Sequence, residues 1–265
     1  MQPILNIAIG AARAAGEIIV RNLDNLDRIK VSEKENNEYF SDVDVKAEQI
    51  IIHHIHKAYP EHGIIAEESG SYNENAEVVW IIDPLDGTTN FLRGFPFFAV
   101  SLAVRVKNRI EHGVVFDPVR HECFSASRGY GAQMNARKIR VSNRTHLNKS
   151  VLGTGFPVRN PTLADTFLPA AEHLFGNCAG VRRSGSAALD LAYVASGRLD
   201  GMFEFGLRPW DMAAGSLLIR EAGGLVGDFN GSEQYMKSGN IVAGNPKIFK
   251  ALLQMLTPEA KLKKI

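Results

Sequence analysis

Hydrophobic positions near the start of the chain recur at helical spacing: Ile4, Leu5, Ala8, Ala11, Ala12, Ala15, Ile18 and Ile19. That period predicts an amphipathic helix with a small-residue seam, suited to close packing. The polar stretch 22–41 then predicts a turn or short hairpin carrying a loop around SEKENNEYF. A second amphipathic helix is expected from Asp42 or Asp44 to about Tyr59, with Val45, Ile51, Ile52 and Ile55 apolar and Pro60 ending it. A short strand is expected at 63–66, running straight into Glu67-Glu68-Ser69, and further apolar runs follow at 78–82, 98–106, 110–116 and 122–127. Their separations are brief and turn-like, which favours antiparallel strands. GYGAQMNARKIRVS reads as a glycine-marked turn followed by one more strand.

Beyond residue 141 the rhythm alternates. Strands are expected at 151–155, 201–204 and 241–243, and helices at 163–175, 184–196, 211–221 and 246–256. Alternation of this kind predicts a layered α/β second half. Neither repeat nor long linker interrupts the 265 residues. The chain therefore reads as one unit, with an α+β part over 1–140 and an α/β part over 141–265.

Composition narrows the classes of function. A net charge of +1 argues against nucleic-acid binding by bulk charge, and 45% hydrophobic content supports a sizeable core. Cys123 and Cys178 show neither metal-ligand spacing nor a disulfide framework, so free thiols in a reducing compartment are expected. Asn6, Arg13 and Glu17 interrupt the first apolar stretch, unlike the core of a signal peptide. Nothing approaches the ~20 continuous apolar residues of a membrane span. A cytoplasmic protein without a membrane role is the expectation.

The chemistry lies in four segments that share one grammar, an apolar element followed by acids and then small residues or a helix start. They are SDVDVKAE (41–48), IIAEES (64–69), WIIDPLDGTTNF (80–91) and RPWDMAAG (208–215). Singly, each has an ordinary reading: Asp44 or Asp211 as a helix N-cap, Glu67 and Glu68 as a solvated loop pair, Asp83-Pro84 as a turn. Together those readings strain, because buried carboxylates need partners and no Lys or Arg lies within IIAEES or WIIDPLDG. Carboxylate oxygens select hard cations such as Mg²⁺. Asp83 and Asp86 flank a Pro-Leu turn that would set both carboxylates and the Leu85 carbonyl around adjacent ions. Gly87, Thr88 and Thr89 would then offer N–H groups and a hydroxyl to phosphate oxygens. His53, His54 and His56 do not converge on one ion at helical spacing and read as surface or partly packed residues.

WIIDPLDGTTNF and WDMAAGSLLIREAGG, with SDVDVKAE, AEES and SGSAALDLAYVASGRLDGMFE between and around them, resemble the motifs of the inositol monophosphatase family. The segment RRSGSAALDLAYVASGRLDGMFEFGLRPWD is most similar to the bacterial SuhB type within it. The resemblance implies a layered αβαβα sandwich, with an antiparallel sheet in the first half and a smaller mixed sheet in the second. It implies a lithium-sensitive phosphatase using two or three Mg²⁺, held by Glu67, Asp83, Leu85, Asp86 and Asp211. Glu67, Thr88 and Asp44 would be catalytic, the last two orienting the attacking water. Asp86, Gly87, Thr88, Gly185, Ser186, Ala187, Glu204 and Asp211 would contact a substrate such as myo-inositol 1-phosphate. Fructose 1,6-bisphosphate and 3′-phosphoadenosine 5′-phosphate are alternative substrates, with Glu204 weighing against a second phosphate. The loop carrying Lys34 resembles a metal-shielding loop, and Arg182-Arg183 is expected to meet a neighbouring subunit or close a surface salt bridge. The resemblance also implies a homodimer and, for the SuhB type, a role in ribosomal RNA transcription antitermination with Nus factors and RNA polymerase.

Overall fold

A computed structural model describes residues 2–34, 38–157, 161–174 and 176–261. The chain folds into five layers, helix–sheet–helix–sheet–helix, as expected. The outer helices α1 (Pro3–Leu23) and α2 (Asp42–Ala58) pack on one face of an eight-stranded sheet. That sheet contains β3 (Gly63–Ala66), β4 (Gly70–Tyr72), β5 (Val78–Asp86), β6 (Ala99–Val106), β7 (Arg109–Asp117), β8 (Glu122–Ser127), β9 (Gly131–Met134) and β10 (Arg137–Lys138). Its order is β10-β9-β8-β7-β6-β5-β3-β4. Between α1 and α2, β1 (Val31–Lys34) and β2 (Glu38–Ser41) form a separate antiparallel hairpin. Residues 35–37 of the expected shielding loop lie outside the described residues.

The middle layer is α5 (Ala187–Ala195) and α6 (Pro209–Glu221). A five-stranded sheet follows, ordered β12 (Gly180–Arg182), β11 (Val151–Thr154), β13 (Gly201–Glu204), β15 (Ile241–Gly244), β14 (Leu225–Gly227). The last layer is α4 (Ala164–Glu172) and α8 (Pro246–Lys261). Two short helices, α3 (Thr88–Leu92) and α7 (Tyr235–Ser238), complete the set among the described residues.

The layering follows from which faces are apolar. Leu5, Ala8, Ala11, Ala12, Ala15 and Ile19 of α1 are buried, and the small seam lets the helix lie close to the sheet. A Cβ at Gly16 would come within 2.6 Å of the Phe116 ring. α1 has the length and hydropathy to cross a membrane, yet that apolar face is used in this core. α5 and α6 are covered by sheets on both sides, so they are apolar nearly all round, as a middle layer must be.

Several features go beyond the sequence expectation or differ from it. β3 and β5 run parallel, because the chain leaves β3 through the edge strand β4 and crosses back before entering β5. β5 extends to Asp86 instead of ending at residue 82. The GYGAQMNARKIRVS segment is a tight hairpin, β9–β10, with Asn135 and Ala136 at positive φ. The exposed β4 and the three-residue strands β12 and β14 carry too little apolar pattern to be seen in the sequence. In the smaller sheet β11 pairs in parallel with β12 and β13, whereas β15 is antiparallel to β13 and β14.

α5 and α6 pack tightly at Gly215, where an added Cβ would fall 2.4 Å from Leu191 Cβ. Gly215→Val is expected to destabilise the protein by about 1–3 kcal/mol through overpacking, read as a lower midpoint in reversible urea unfolding.

Candidate active site

The site is built on an irregularity in β5. Residues 79–82 are buried in the sheet, and then the register with β6 shifts between Asp83, opposite Ser101, and Asp86, opposite Ala99. Three steps on one strand thus match two on the other, a bulge that re-aims the side chains. Pro84 suits such a position because it has no N–H to give to the ladder. Asp83 Oδ1 accepts a hydrogen bond from Leu85 N at 3.0 Å, which fixes the carboxylate. Gly87 has φ +98°, and a Cβ there would lie 3.1 Å from the Phe97 carbonyl and 3.2 Å from that of Gly185. Only glycine fits that turn, and α3 starts directly after it.

Folding brings Asp83, Asp86 and Asp211 together, with a carboxylate oxygen of each within 4.8 Å of the others. Glu67 lines the same cavity; its N–H donates to the Ile82 carbonyl at 3.2 Å, which ties the end of β3 to β5. Asp83 is 1% exposed. Its pKa is pushed well above the carboxylate range by burial first, then by the charges of Glu67, Asp86 and Asp211. Such a donor set, all hard oxygen and mutually repelling, fits a divalent cation such as Mg²⁺.

Asp44 and Asp211, the two candidate N-caps, take a different position in their helices. Ser41 is the N-cap of α2, and Asp44 closes the capping box from the third helical position, accepting from Ser41 N at 2.8 Å. Its other oxygen, Oδ1, accepts from Thr88 Oγ1 at 2.9 Å, and Thr88 Oγ1 also lies 3.1 Å from the Leu85 carbonyl. Burial raises the Asp44 pKa against the opposing hydrogen bonds from Ser41 and Thr88. Asp211 likewise occupies the third position of α6, its Oδ2 accepting from Arg208 N at 2.7 Å.

The second half closes the cavity, which has a volume of about 300 Å³. Gly185, at φ +89°, turns the chain into α5. Ser186 caps that helix by accepting from Leu189 N, and its hydroxyl donates to Asp86 Oδ2 at 2.5 Å. Ala188 N donates to the same oxygen at 2.7 Å, and Ala187 lines the cavity. Glu204, at the end of β13, occupies space that a Cβ on Gly155 would fill. Its pKa is raised well above normal by burial, then by Asp190, Asp211 and Asp86, with Arg183 opposing. Arg183, exposed beside the turn, lines the cavity with its guanidinium 5.9 Å from the Phe156 ring centroid.

Sequence reasoning missed four residues that shape this site. Glu48 is buried and accepts from Glu68 N at 2.9 Å and Ser69 N at 2.8 Å, anchoring the loop that carries Glu67. Its signal was the four-residue spacing from Asp44 on one helix. Asp190 lines the cavity and is 2% exposed; a lone acid within the apolar run AALDLAYVA was the clue. Asn90 and Tyr39 also line the cavity and had no comparable signal.

A family model described as the inositol monophosphatase family matches residues 1–261. The chain belongs to that family. It is 55% identical over 263 residues to "Nus factor SuhB" of Pseudomonas aeruginosa, covering 97% of each chain. Among solved structures, the extragenic suppressor protein suhB of Bartonella henselae aligns at TM-score 0.94 and 43% identity, covering all of both chains. An inositol monophosphatase from Anabaena aligns at TM-score 0.82 and 38% identity, over 96% of this chain and 95% of that one. The two solved structures share the fold of this chain, in which the acidic cluster joins Asp83 and Asp86 of the first half to Asp211 of the second.

Asp190 supplies a test of the electrostatics. Burial, with the Asp86 charge adding and Arg183 opposing, raises its pKa from 3.8 to about 7. An acid with a raised folded pKa binds its proton more tightly folded than unfolded. Its ionisation therefore costs stability progressively from the unfolded value up through the folded one. In a metal-free buffer, Asp190→Asn is expected to raise the melting temperature at about pH 8 by a few degrees, with the gain shrinking toward about pH 4.

Proposed function

We propose that this chain is a Mg²⁺-dependent phosphomonoesterase using two or three ions, and that its preferred substrate is myo-inositol 1-phosphate or a similar polyol phosphate. The observation carrying this reading is the convergence of Asp83, Asp86 and Asp211 beside Glu67, in one cavity with the Thr88–Asp44 pair. These carboxylates, with the Leu85 carbonyl, are the residues that would hold the metal. Bound Mg²⁺ supplies Lewis-acid neutralisation of phosphate charge and lowers the pKa of water.

The chain's own groups do the rest. Thr88 Oγ1 donates to Asp44, so its lone pairs are left to accept from the attacking water and aim it. Asp44 is the onward acceptor for that proton, poised by its raised pKa. The turn at Gly87 exposes backbone N–H groups toward phosphate oxygens. Gly185 and Ala187 let a polyol ring approach the backbone closely, and Glu204 hydrogen-bonds its hydroxyls. Ser186, which lines the cavity among the substrate-side residues, also donates its hydroxyl proton to Asp86.

A second role rests on a separate observation, the 55% identity to a protein named Nus factor SuhB. On that basis we place the chain, as a cytoplasmic homodimer, among the partners of Nus factors and RNA polymerase as well. A pull-down with purified Nus proteins and RNA polymerase tests it, and absence of either from the bound fraction counts against this role.

The enzymatic reading is tested by phosphate release from inositol 1-phosphate with and without Mg²⁺ and Li⁺, beside fructose 1,6-bisphosphate and 3′-phosphoadenosine 5′-phosphate. Mg²⁺-dependent, Li⁺-inhibited turnover favouring inositol 1-phosphate is expected. Asp83→Asn should lower kcat by about a hundredfold or more while the protein stays folded by circular dichroism. An Asp83→Asn protein with wild-type turnover would contradict the metal assignment.

A further inference from the structure

Asn90 has no part in the metal or substrate sets above, yet its side chain lies at the junction of three backbone segments around the cavity. Its Nδ2 donates to the Phe97 carbonyl at 2.7 Å and to the Ser184 carbonyl at 2.8 Å. Two carbonyl acceptors fix which end of the amide is the NH₂, and they use both of its hydrogens. Phe97 belongs to the segment entering β6, and Ser184 to the turn entering α5. One amide therefore ties the first half of the fold to the second. The backbone of Asn90 joins in as well, its carbonyl accepting from Phe95 N at 2.8 Å.

The surrounding glycines are shaped to allow this clamp. A Cβ on Gly185 would fall 2.9 Å from Asn90 Nδ2 and 3.1 Å from its Oδ1. A Cβ on Gly87 would press on the carbonyls of Phe97 and Gly185. The turn at Gly87 and the turn at 184–186 thus meet through Asn90 with no room between them. Just beyond this contact, Ser186 Oγ and Ala188 N both donate to Asp86 Oδ2.

We propose that Asn90 is a positioning residue: its amide holds the 184–186 turn against the phosphate-side turn, and so seats Ser186 and the start of α5 on the Asp86 carboxylate. The inference rests on the phosphatase reading for its kinetic arm, and on the chain's own carboxylate geometry for its binding arm. Asn90 acts through Ser186, so removing either residue releases the same carboxylate.

The test is a double-mutant cycle of Asn90→Ala and Ser186→Ala, read in kcat/KM for inositol 1-phosphate and in Mg²⁺ affinity by calorimetry. Each single change is expected to lower kcat/KM about tenfold, with the double variant within about threefold of the worse single one. Mg²⁺ affinity should fall in all three. Effects that multiply, or an Asn90→Ala protein with wild-type kcat/KM and Mg²⁺ affinity, would overturn the proposal. A general loss of packing would lower the melting temperature without coupling the two sites. Should Asn90→Ala fail to fold, Asn90→Ser, which keeps one donor, takes its place in the cycle. If the wild-type protein hydrolyses no phosphate monoester, the phosphatase reading fails, and the Mg²⁺ cycle alone decides for or against Asn90.

Discussion

The structure is organised around a repulsion. Asp83, Asp86 and Asp211 come within 4.8 Å of one another, and Asp83 also feels the charge of Glu67 while almost wholly removed from water. Like charges in such a place oppose folding, and together with burial they push the Asp83 pKa well above the carboxylate range. Everything adjacent can be understood as a frame stiff enough to keep these groups together.

That frame uses one device repeatedly, the free N–H groups at the start of a helix. Asp44 accepts from Ser41 N at the start of α2, Asp211 from Arg208 N at the start of α6, and Asp86 from Ala188 N at the start of α5. Three helices therefore direct the positive ends of their dipoles toward the acids. Each bond also fixes one oxygen of a carboxylate and so its orientation. Glu48 works in the opposite sense, as a buried acid whose two oxygens hold the backbone of the loop following Glu67. Helix capping and site geometry are here the same hydrogen bonds.

Glycine and proline supply the remaining precision. The β5 bulge over Pro84 and Leu85 turns a strand into a platform for two acids, and Gly87 lets the chain reverse where any side chain would strike Phe97 or Gly185. Gly155 makes the space that Glu204 fills. Each is a position where absence of a group is the functional property, which makes it hard to recognise without its neighbours.

The sequence by itself determined the helices with strong periodicity, the strands with long apolar runs, and the acids that emerge from them. Local spacing carries that information: the pattern of α1, the run before Asp83 and the small residues after Ser184 are all visible within a dozen residues. Its motif order also determined the family. Only the tertiary structure decided that Asp44 and Asp211 sit inside their helices with Ser41 and Arg208 before them. It alone brought Ser186 onto Asp86, Arg183 into the cavity and Asn90 across the two halves. These contacts join residues far apart in the chain, up to 102 positions for Ala188 and Asp86. No local preference encodes such a pairing; it exists because two sheets and two helices pack in one register and leave those groups facing each other.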